Sequence, residues 1–577
     1  MNQRFLNIES TLRQRYPGLT RGSGRWLLRP LSFALRRLFR EQRINHILTE
    51  HGQLEGFEFI DRVLEYFDFS YQVRHLHVEN IPVSGRLVIV ANHPLGALDA
   101  LALLHLVGRV RRDVKIIAND LLMSLSPMRS LLLPVDVLGG QNGRDRVIAI
   151  NEWLESEGVV IVFPSGEVSR ARPNGVRDTR WRGSFLQMAR RSNAPVLPIH
   201  LGGANSPLFY GVSMLSKPLA GLLLVGEMFG QRGRTISIRV GQPLALQQID
   251  RPGLSRRARV DLVKRHLYRI AQDRKPLFVC PPAIAHPESR QCLRGELSRL
   301  PVLGKTADGK QIVLYDYRAN DSLIREIGRL RELTFRQVEE GSGRRRDLDR
   351  FDRDYRHIVL WDDQDLELVG AYRLAEVNRL VEQGGLDGVY SQSCFAWQPE
   401  AMASILPQAL ELGRSFVQPR YWGSRSLDYL WYGIGAFLSH NPGFRYLLGT
   451  VSISASYPQQ ARAMLVYFYR RFYGERSTLA VARNPVVLDG EQRLRLNELF
   501  NAETVEGNFR ILKAQLASQG LAVPTLYKQY TELCEPGGVR FLDFGVDPLF
   551  GHCVDGLVLV DLEKLKPRRR QRYFTPL

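Results

Sequence analysis

The sequence predicts an α/β protein of two domains, and three observations carry that prediction. At 577 residues the chain exceeds what one ordinary domain holds. Short β-branched runs such as Leu87 to Val90 and Val159 to Phe163 alternate with apolar-periodic helical stretches, the pattern of a layered α/β structure. Pro276, Pro281, Pro282 and Pro287 interrupt the pattern, which restarts beyond residue 300. The expected organisation is a basic segment 1–50, a first domain 51–275, a connector 276–300 and a second domain 301–577.

Composition narrows the partners. Hydrophobic content of 44% and charged content of 24% supply an ample core, while a net charge of +20 calls for an acidic partner. Nucleic acid, an anionic membrane surface and an acidic carrier protein all qualify on charge. No helix-turn-helix, zinc-finger or aromatic RNA-binding pattern is present, so nucleic acid is set aside. Five widely spaced cysteines without a CxxC argue against both a zinc site and a disulfide framework. No apolar stretch spans a bilayer and no signal peptide is visible, so the expected location is cytoplasmic, soluble or peripheral on a membrane.

Within the basic segment, Trp26 to Arg40 mixes bulky apolar residues with arginines at helical spacing. Such a helix lies in a headgroup layer or docks on the protein's own core; amphipathicity alone does not separate the two. Phe57, Phe59, Ile60, Val63, Leu64 and Phe67 then read as a helix packed on the first domain.

The first domain is organised around the strand at Leu87 to Val90. Asn92 opens the turn after it, which delivers His93 and, six residues on, Asp99 at the head of an apolar helix. An imidazole at a strand mouth can deprotonate a hydroxyl when a carboxylate fixes its tautomer. Three companions follow in order: Asp136 with Gly139, Gly140, Asn142 and Arg144; Phe163-Pro-Ser165-Gly166-Glu167 with Arg170; and the proline-broken run Ala194 to Leu201. Together these resemble the glycerolipid acyltransferase family of the lysophosphatidate type over about residues 70–275. Two spellings differ: five residues rather than four separate His93 from Asp99, and the third block reads FPSGEVSR instead of FPEGTRS. The resemblance implies His93 as general base and Asp99 as its orienting carboxylate. It also implies Ser165, Gly166 and Glu167 at the acceptor site, with Arg144 or Arg170 on an oxyanion or a headgroup.

In the second domain, 311–317 reads as a strand and 321–336 as an amphipathic helix, followed by a charged loop with Asp349 and Asp352. Strands carrying His357, Tyr372 and Glu411 come next, then a turn and a long apolar helix from Leu427. This order resembles the GNAT superfamily, in the acyl-homoserine-lactone synthase and ornithine N-acyltransferase branch. In the turn that would hold the acyl donor, Arg420, Gly423 and Arg425 stand where acetyl-CoA enzymes carry a glycine-rich loop, and the last small residue is lost. An arginine there suits a carrier-borne phosphopantetheine. For an amino-acid acceptor, Glu411, Asp349 and Asp352 would bind ammonium groups and Arg414 the carboxylate. Glu411 could also strip the α-amine; as a plain strand pair three residues apart, Glu411 and Arg414 would lie on opposite faces. His357 reads equally as a core histidine.

Two acyltransferase domains on one basic chain resemble the bifunctional ornithine-lipid acyltransferases. The resemblance implies N-acylation of ornithine from 3-hydroxyacyl carrier protein by the second domain, then O-acylation of lyso-ornithine lipid by the first, on the inner face of a bacterial inner membrane. No bound cofactor and no metal is expected. The alternatives are another amino lipid built on glycine, glutamine or lysine, or a lysophospholipid acyltransferase with a non-catalytic second domain.

Overall fold

The structure is a computed structural model that describes residues 8–9, 32–118, 125–134 and 143–574. It divides into two compact units, Met1–Ala283 and Ile284–Leu577. The division falls among the prolines of the expected connector, whose C-terminal half is the helix Arg290–Leu297, in the second unit.

The first unit is built on a seven-stranded sheet. Its strands are β1 (Ser70–Val73), β2 (Leu87–Ala91), β3 (Val114–Ala118), β4 (Leu132–Pro134), β5 (Val159–Val162), β8 (Val196–Leu201) and β9 (Thr235–Val240). A separate hairpin, β6 (Arg170–Arg172) and β7 (Gly175–Arg177), follows β5 in the chain. The sheet order is β1-β9-β8-β2-β5-β3-β4, parallel except where β8 meets β9. Every residue of β2 is buried, as a parallel strand covered on both faces requires. Val88 and Val90 pack with Trp181 and Phe185 on one side, and Leu87, Ile89 and Ala91 with Leu103 and Val107 on the other. β2 and β5 are parallel neighbours, so the turns leaving their C-terminal ends lie side by side, where α/β sheets place ligands.

Asn92 ties the first of those turns to the sheet. Its side-chain amide donates to the Leu201 carbonyl (2.8 Å) and its amide oxygen accepts the Leu201 N–H (2.7 Å). The N-terminal basic helix is described over 32–38; Trp26 lies outside the described residues, and Phe33 is exposed.

The second unit holds an eight-stranded sheet made of β10 (Val302–Lys305), β11 (Gln311–Asp316), β12 (Arg356–Asp362), β13 (Glu367–Glu376), β15 (Ala409–Val417), β16 (Tyr446–Ile453), β18 (Val539–Asp547) and β19 (Cys553–Asp561). Short strands β14 (Phe395–Trp397) and β17 (Ala480–Ala482) pair beside it. The order is β10-β11-β12-β13-β15-β16-β19-β18, and the single parallel pair is β15 with β16. That pair is joined only over Ala409–Glu411 against Tyr446–Leu448, after which the strands part. At the same place β15 carries a bulge opposite Ala371–Arg373, with Arg414 at φ 49°. The helices Ser322–Gln337 and Ser426–His440 cover the sheet, as their apolar spacing predicts.

Replacing Asn92 with alanine leaves the Leu201 N–H and C=O buried and unpaired. Thermal or urea unfolding should record a loss of about 1–3 kcal/mol for the first unit.

Candidate active sites

The first site assembles where β2 and β5 end. His93 Nδ1 stands 3.0 Å from Asp99 Oδ1, so the additional residue between them is accommodated. The helix Ala97–Gly108 begins early enough to place Asp99 in its first turn, facing back toward the histidine. Asp99 is held there by its other oxygen, which accepts the N–H groups of Leu95 (2.7 Å) and Gly96 (3.2 Å). The imidazole stacks on Phe163, centroids 4.1 Å apart, and its Nε2 has no hydrogen-bond partner among the described residues. Burial opposes protonation of His93, but the Asp99 carboxylate outweighs it and raises the pKa above 6.5. A ring nitrogen left open, with the other one set against a buried carboxylate, is placed to take a proton from a hydroxyl.

Asp178, which sequence reasoning missed, supports this arrangement. It accepts the backbone N–H of His93 (3.2 Å), the Ser169 hydroxyl (2.5 Å) and the Trp181 indole N–H (2.7 Å). Of the residues expected at the acceptor site, Ser165 donates to the Glu167 carbonyl (2.7 Å), across a turn in which Gly166 takes φ 66°. Glu167 Oε2 meets Arg170 Nη2 at 3.2 Å, while Arg170 Nε and Nη1 are buried without a partner. Those two N–H groups can donate to an anionic or carbonyl group of a substrate. The Arg144 side chain, with Asp136, Gly139, Gly140 and Asn142, lies outside what is described.

The second site gathers arginines and carboxylates at the parting of β15 and β16. Arg331 Nη1 meets Asp352 Oδ1 at 2.8 Å; Arg373 Nη1 reaches Asp349 at 2.7 Å and Asp352 at 3.2 Å. Arg414 lies 3.4 Å from Asp347 and 3.7 Å from Asp349, with its guanidinium over the rings of Phe550 and Tyr390. Burial works against ionisation of Asp352, yet Arg331 and Arg373 hold its carboxyl well below the usual range. His357 is fully buried 3.3 Å from Asp352, and burial lowers it to about 4, the state of a neutral core histidine.

Glu411 and Arg414 do not lie on opposite faces as a regular strand would have them. The bulge adds a residue to β15 and turns Arg414 to the side of Glu411, and both meet Tyr390. Both Glu411 oxygens are engaged: by the Tyr355 hydroxyl, by Tyr390 N–H (3.2 Å) and by Ser391 N–H (2.7 Å). Glu411 thus anchors the short helix Tyr390–Cys394 against the strand. In the expected donor turn Gly423 takes φ 76°. Arg420 pairs with Asp365 (2.6 Å) and Glu367 (2.9 Å), and Arg425 lies 3.4 Å from Asp428.

A further group comes together that no local motif announced. Cys394, Asp547 and Asp555 place ligating atoms within 4.8 Å of one another. Burial, then Asp547 and Glu340, push Asp555 up to about 7, and burial lifts Glu340 to about 7. Arg414 is the cation that opposes both shifts.

Residues 11–274 match the family described as Acyltransferase, and residues 330–432 match the Acetyltransferase (GNAT) domain. A lyso-glycine lipid O-acyltransferase of Bacteroides thetaiotaomicron is 32% identical over 224 residues, covering 38% of this chain and 81% of the relative. A glycine N(alpha)-acyltransferase of the same organism is 28% identical over 304 residues, covering 50% and 89%. An L-ornithine N(alpha)-acyltransferase of Rhizobium meliloti is 27% identical over 248 residues, covering 42% and 75%. Among solved structures, the 1-acyl-sn-glycerophosphate acyltransferase of Thermotoga maritima is 17% identical with a TM-score of 0.25, over 41% of this chain and 95% of that one. The protein is an acyltransferase that carries an acyltransferase region and a GNAT domain on one chain. It belongs to the acyltransferase family that includes the lyso-glycine lipid O-acyltransferases.

His93 must be neutral to act as a base, so O-acyl transfer should fall as pH drops through a value above 6.5. Asp99→Asn removes the charge that raises that value. A pH–rate profile of the variant should show its acid limb displaced downward and kcat/KM reduced roughly 10²–10⁴-fold. An unmoved limb would mean that Asp99 does not act on His93.

Proposed function

We propose that the chain performs two acyl transfers in succession and builds ornithine lipid, a diacylated amino lipid. In the second unit the α-amine of ornithine attacks the thioester of a 3-hydroxyacyl carrier protein. The C–N bond forms as the C–S bond breaks, the nitrogen's proton passes to the leaving thiolate, and lyso-ornithine lipid and the free carrier thiol result. In the first unit His93 Nε2 takes the proton of that product's 3-hydroxyl as its oxygen attacks a second acyl thioester. The imidazolium then returns the proton to the leaving thiolate, so no metal is required. Asp99 stabilises the imidazolium, and Arg170 holds a polar group of the acceptor through its unpartnered N–H groups. The observation that carries the reading is the 3.0 Å His93–Asp99 contact with Nε2 left open, on a chain that also has a GNAT domain.

Ornithine is favoured over a neutral amino acid by the charge of the second site. Arg414 supplies a counter-ion for the substrate carboxylate. Asp547 lies with Asp555 and Glu340, two acids lifted to about 7 that ionise more readily once a cation enters; together they exceed what a single ammonium group needs, which suits a diamine. Glycine is the second reading, supported by the relatives that are named for glycine and lyso-glycine lipid. The acyl donor is assigned to acyl carrier protein and the working location to the inner face of the inner membrane. The supports are the net charge of +20 and the lack, among the described residues, of any helix long and apolar enough to cross a bilayer.

Lipid extracts from a bacterial host without amino lipids, expressing the chain, test this by mass. Wild type should give a diacylated ornithine lipid, His93→Ala the mono-acylated intermediate, and Glu411→Ala neither. A glycine-mass product would select the second reading. Full product from His93→Ala would remove the first unit from the pathway.

A further inference from the structure

The first unit carries a groove of about 940 Å³ that neither acyl-transfer site uses, between the β6–β7 hairpin and the helix Arg256–Ala271. Six cations line it: Arg172, Arg177, Lys264, Arg265, Arg269 and Arg274. Among the described residues none of the six forms an ion pair with a carboxylate, and Lys264 feels Asp178 and Asp261 only through space. Lys264 Nζ donates to the carbonyls of Asp178 (2.9 Å) and Thr179 (2.5 Å), Arg269 Nε to that of Lys275 (2.7 Å), and Arg177 lies over the Tyr268 ring. The two acids in the lining are occupied otherwise: Asp178 holds the His93 turn, and Asp261 lies 3.9 Å from Arg257. Around the second site, by contrast, Arg331, Arg373 and Arg420 are each matched to carboxylates.

The shape of this charge selects its partner. Lys264, Arg265, Tyr268, Arg269 and Gln272 recur at helical spacing from Asp261 onward, one face of the helix about 17 Å long at 1.5 Å per residue. Arg172 and Arg177 stand on the opposite wall. A compact phosphate would reach only part of such a stripe, and a flat headgroup layer would not enter between the walls. An acidic helix repeats its carboxylates at the same helical spacing, which complements a stripe of cations faced by Arg172 and Arg177. The groove also adjoins the chemistry, because Asp178 forms part of its lining and accepts the His93 N–H at 3.2 Å. Tyr268 and Lys264 of the same helix bind the Asp178 backbone directly, at 2.7 and 2.9 Å.

We infer that this groove is the docking surface for an acidic helix of the carrier protein that delivers the acyl group to the His93 site. The inference rests on the carrier-protein donor proposed above and assigns that donor a place on the molecule.

The test uses the full chain with N-(3-hydroxyacyl)ornithine as acceptor and three donors: palmitoyl acyl carrier protein, palmitoyl-CoA and palmitoyl-N-acetylcysteamine, which is uncharged. Two variants, R265E/R269E on the helix and R172E on the hairpin, guard against a local folding defect in either element. The KM for palmitoyl acyl carrier protein should rise at least about tenfold in R265E/R269E with kcat kept, and rise in R172E as well. Rates with the uncharged thioester should not change, and the salt dependence of the carrier reaction should weaken. An unchanged KM for the carrier in both variants overturns the docking surface. So does an equal loss with all three donors, or a loss confined to binding of phosphatidylglycerol vesicles. Failure of the donor reading shows separately, in wild type, as use of palmitoyl-CoA without use of the carrier thioester, and it overturns the inference with it.

Discussion

Asp99 divides its carboxylate between two tasks, and the first site depends on that division. One oxygen accepts two backbone N–H groups of the turn that carries His93, and the other faces His93 Nδ1 at 3.0 Å. The same side chain therefore shapes the turn and raises the pKa of His93. Everything nearby serves that geometry. Asn92 pins the turn to β8, Asp178 holds the His93 amide, and Phe163 from the neighbouring strand end stacks on the imidazole. Because β2 and β5 are adjacent and parallel, residues seventy apart in the chain meet without any long loop having to order itself.

The second unit solves a different problem. Charged side chains such as Arg331, Arg373, Asp347 and Asp352 are buried there, and an unpaired buried charge is costly. The parting of β15 and β16 creates the opening, while the bulge at Arg414 turns that side chain toward Tyr390 and Phe550. Arg331 and Arg373 are then balanced by Asp352 and Asp349, which leaves Arg414 between the Asp347 side and the Asp555 group.

Much of this was legible in the sequence, for reasons that can be named. Continuous apolar runs such as Val159 to Val162 report strands buried on both faces, and the order of the His93, Arg170 and Leu197 blocks reports the wrap of a parallel sheet. Asp99 was legible as a partner because the helix start fixes its direction. Asp178 was not, since it follows an arginine-rich hairpin and acts on an amide 85 residues away. The Cys394–Asp547–Asp555 group was equally hidden, because it exists only once β18 and β19 pair beside the short helix Tyr390–Cys394. The regular-strand reading of Glu411 and Arg414 failed for one reason: a bulge is a property of two paired strands, not of one sequence.

On the proposed function, one chain holds two independent transfer sites joined by an intermediate that can leave one and enter the other. Mixing purified His93→Ala chain with purified Arg414→Ala chain, given ornithine and both acyl thioesters, tests it most directly. The first variant should accumulate mono-acylated product alone, the second should make nothing from ornithine, and the mixture should form the diacylated lipid. Diacylated lipid from the His93→Ala chain by itself, or none from the mixture when lyso-lipid is plentiful, would contradict the account.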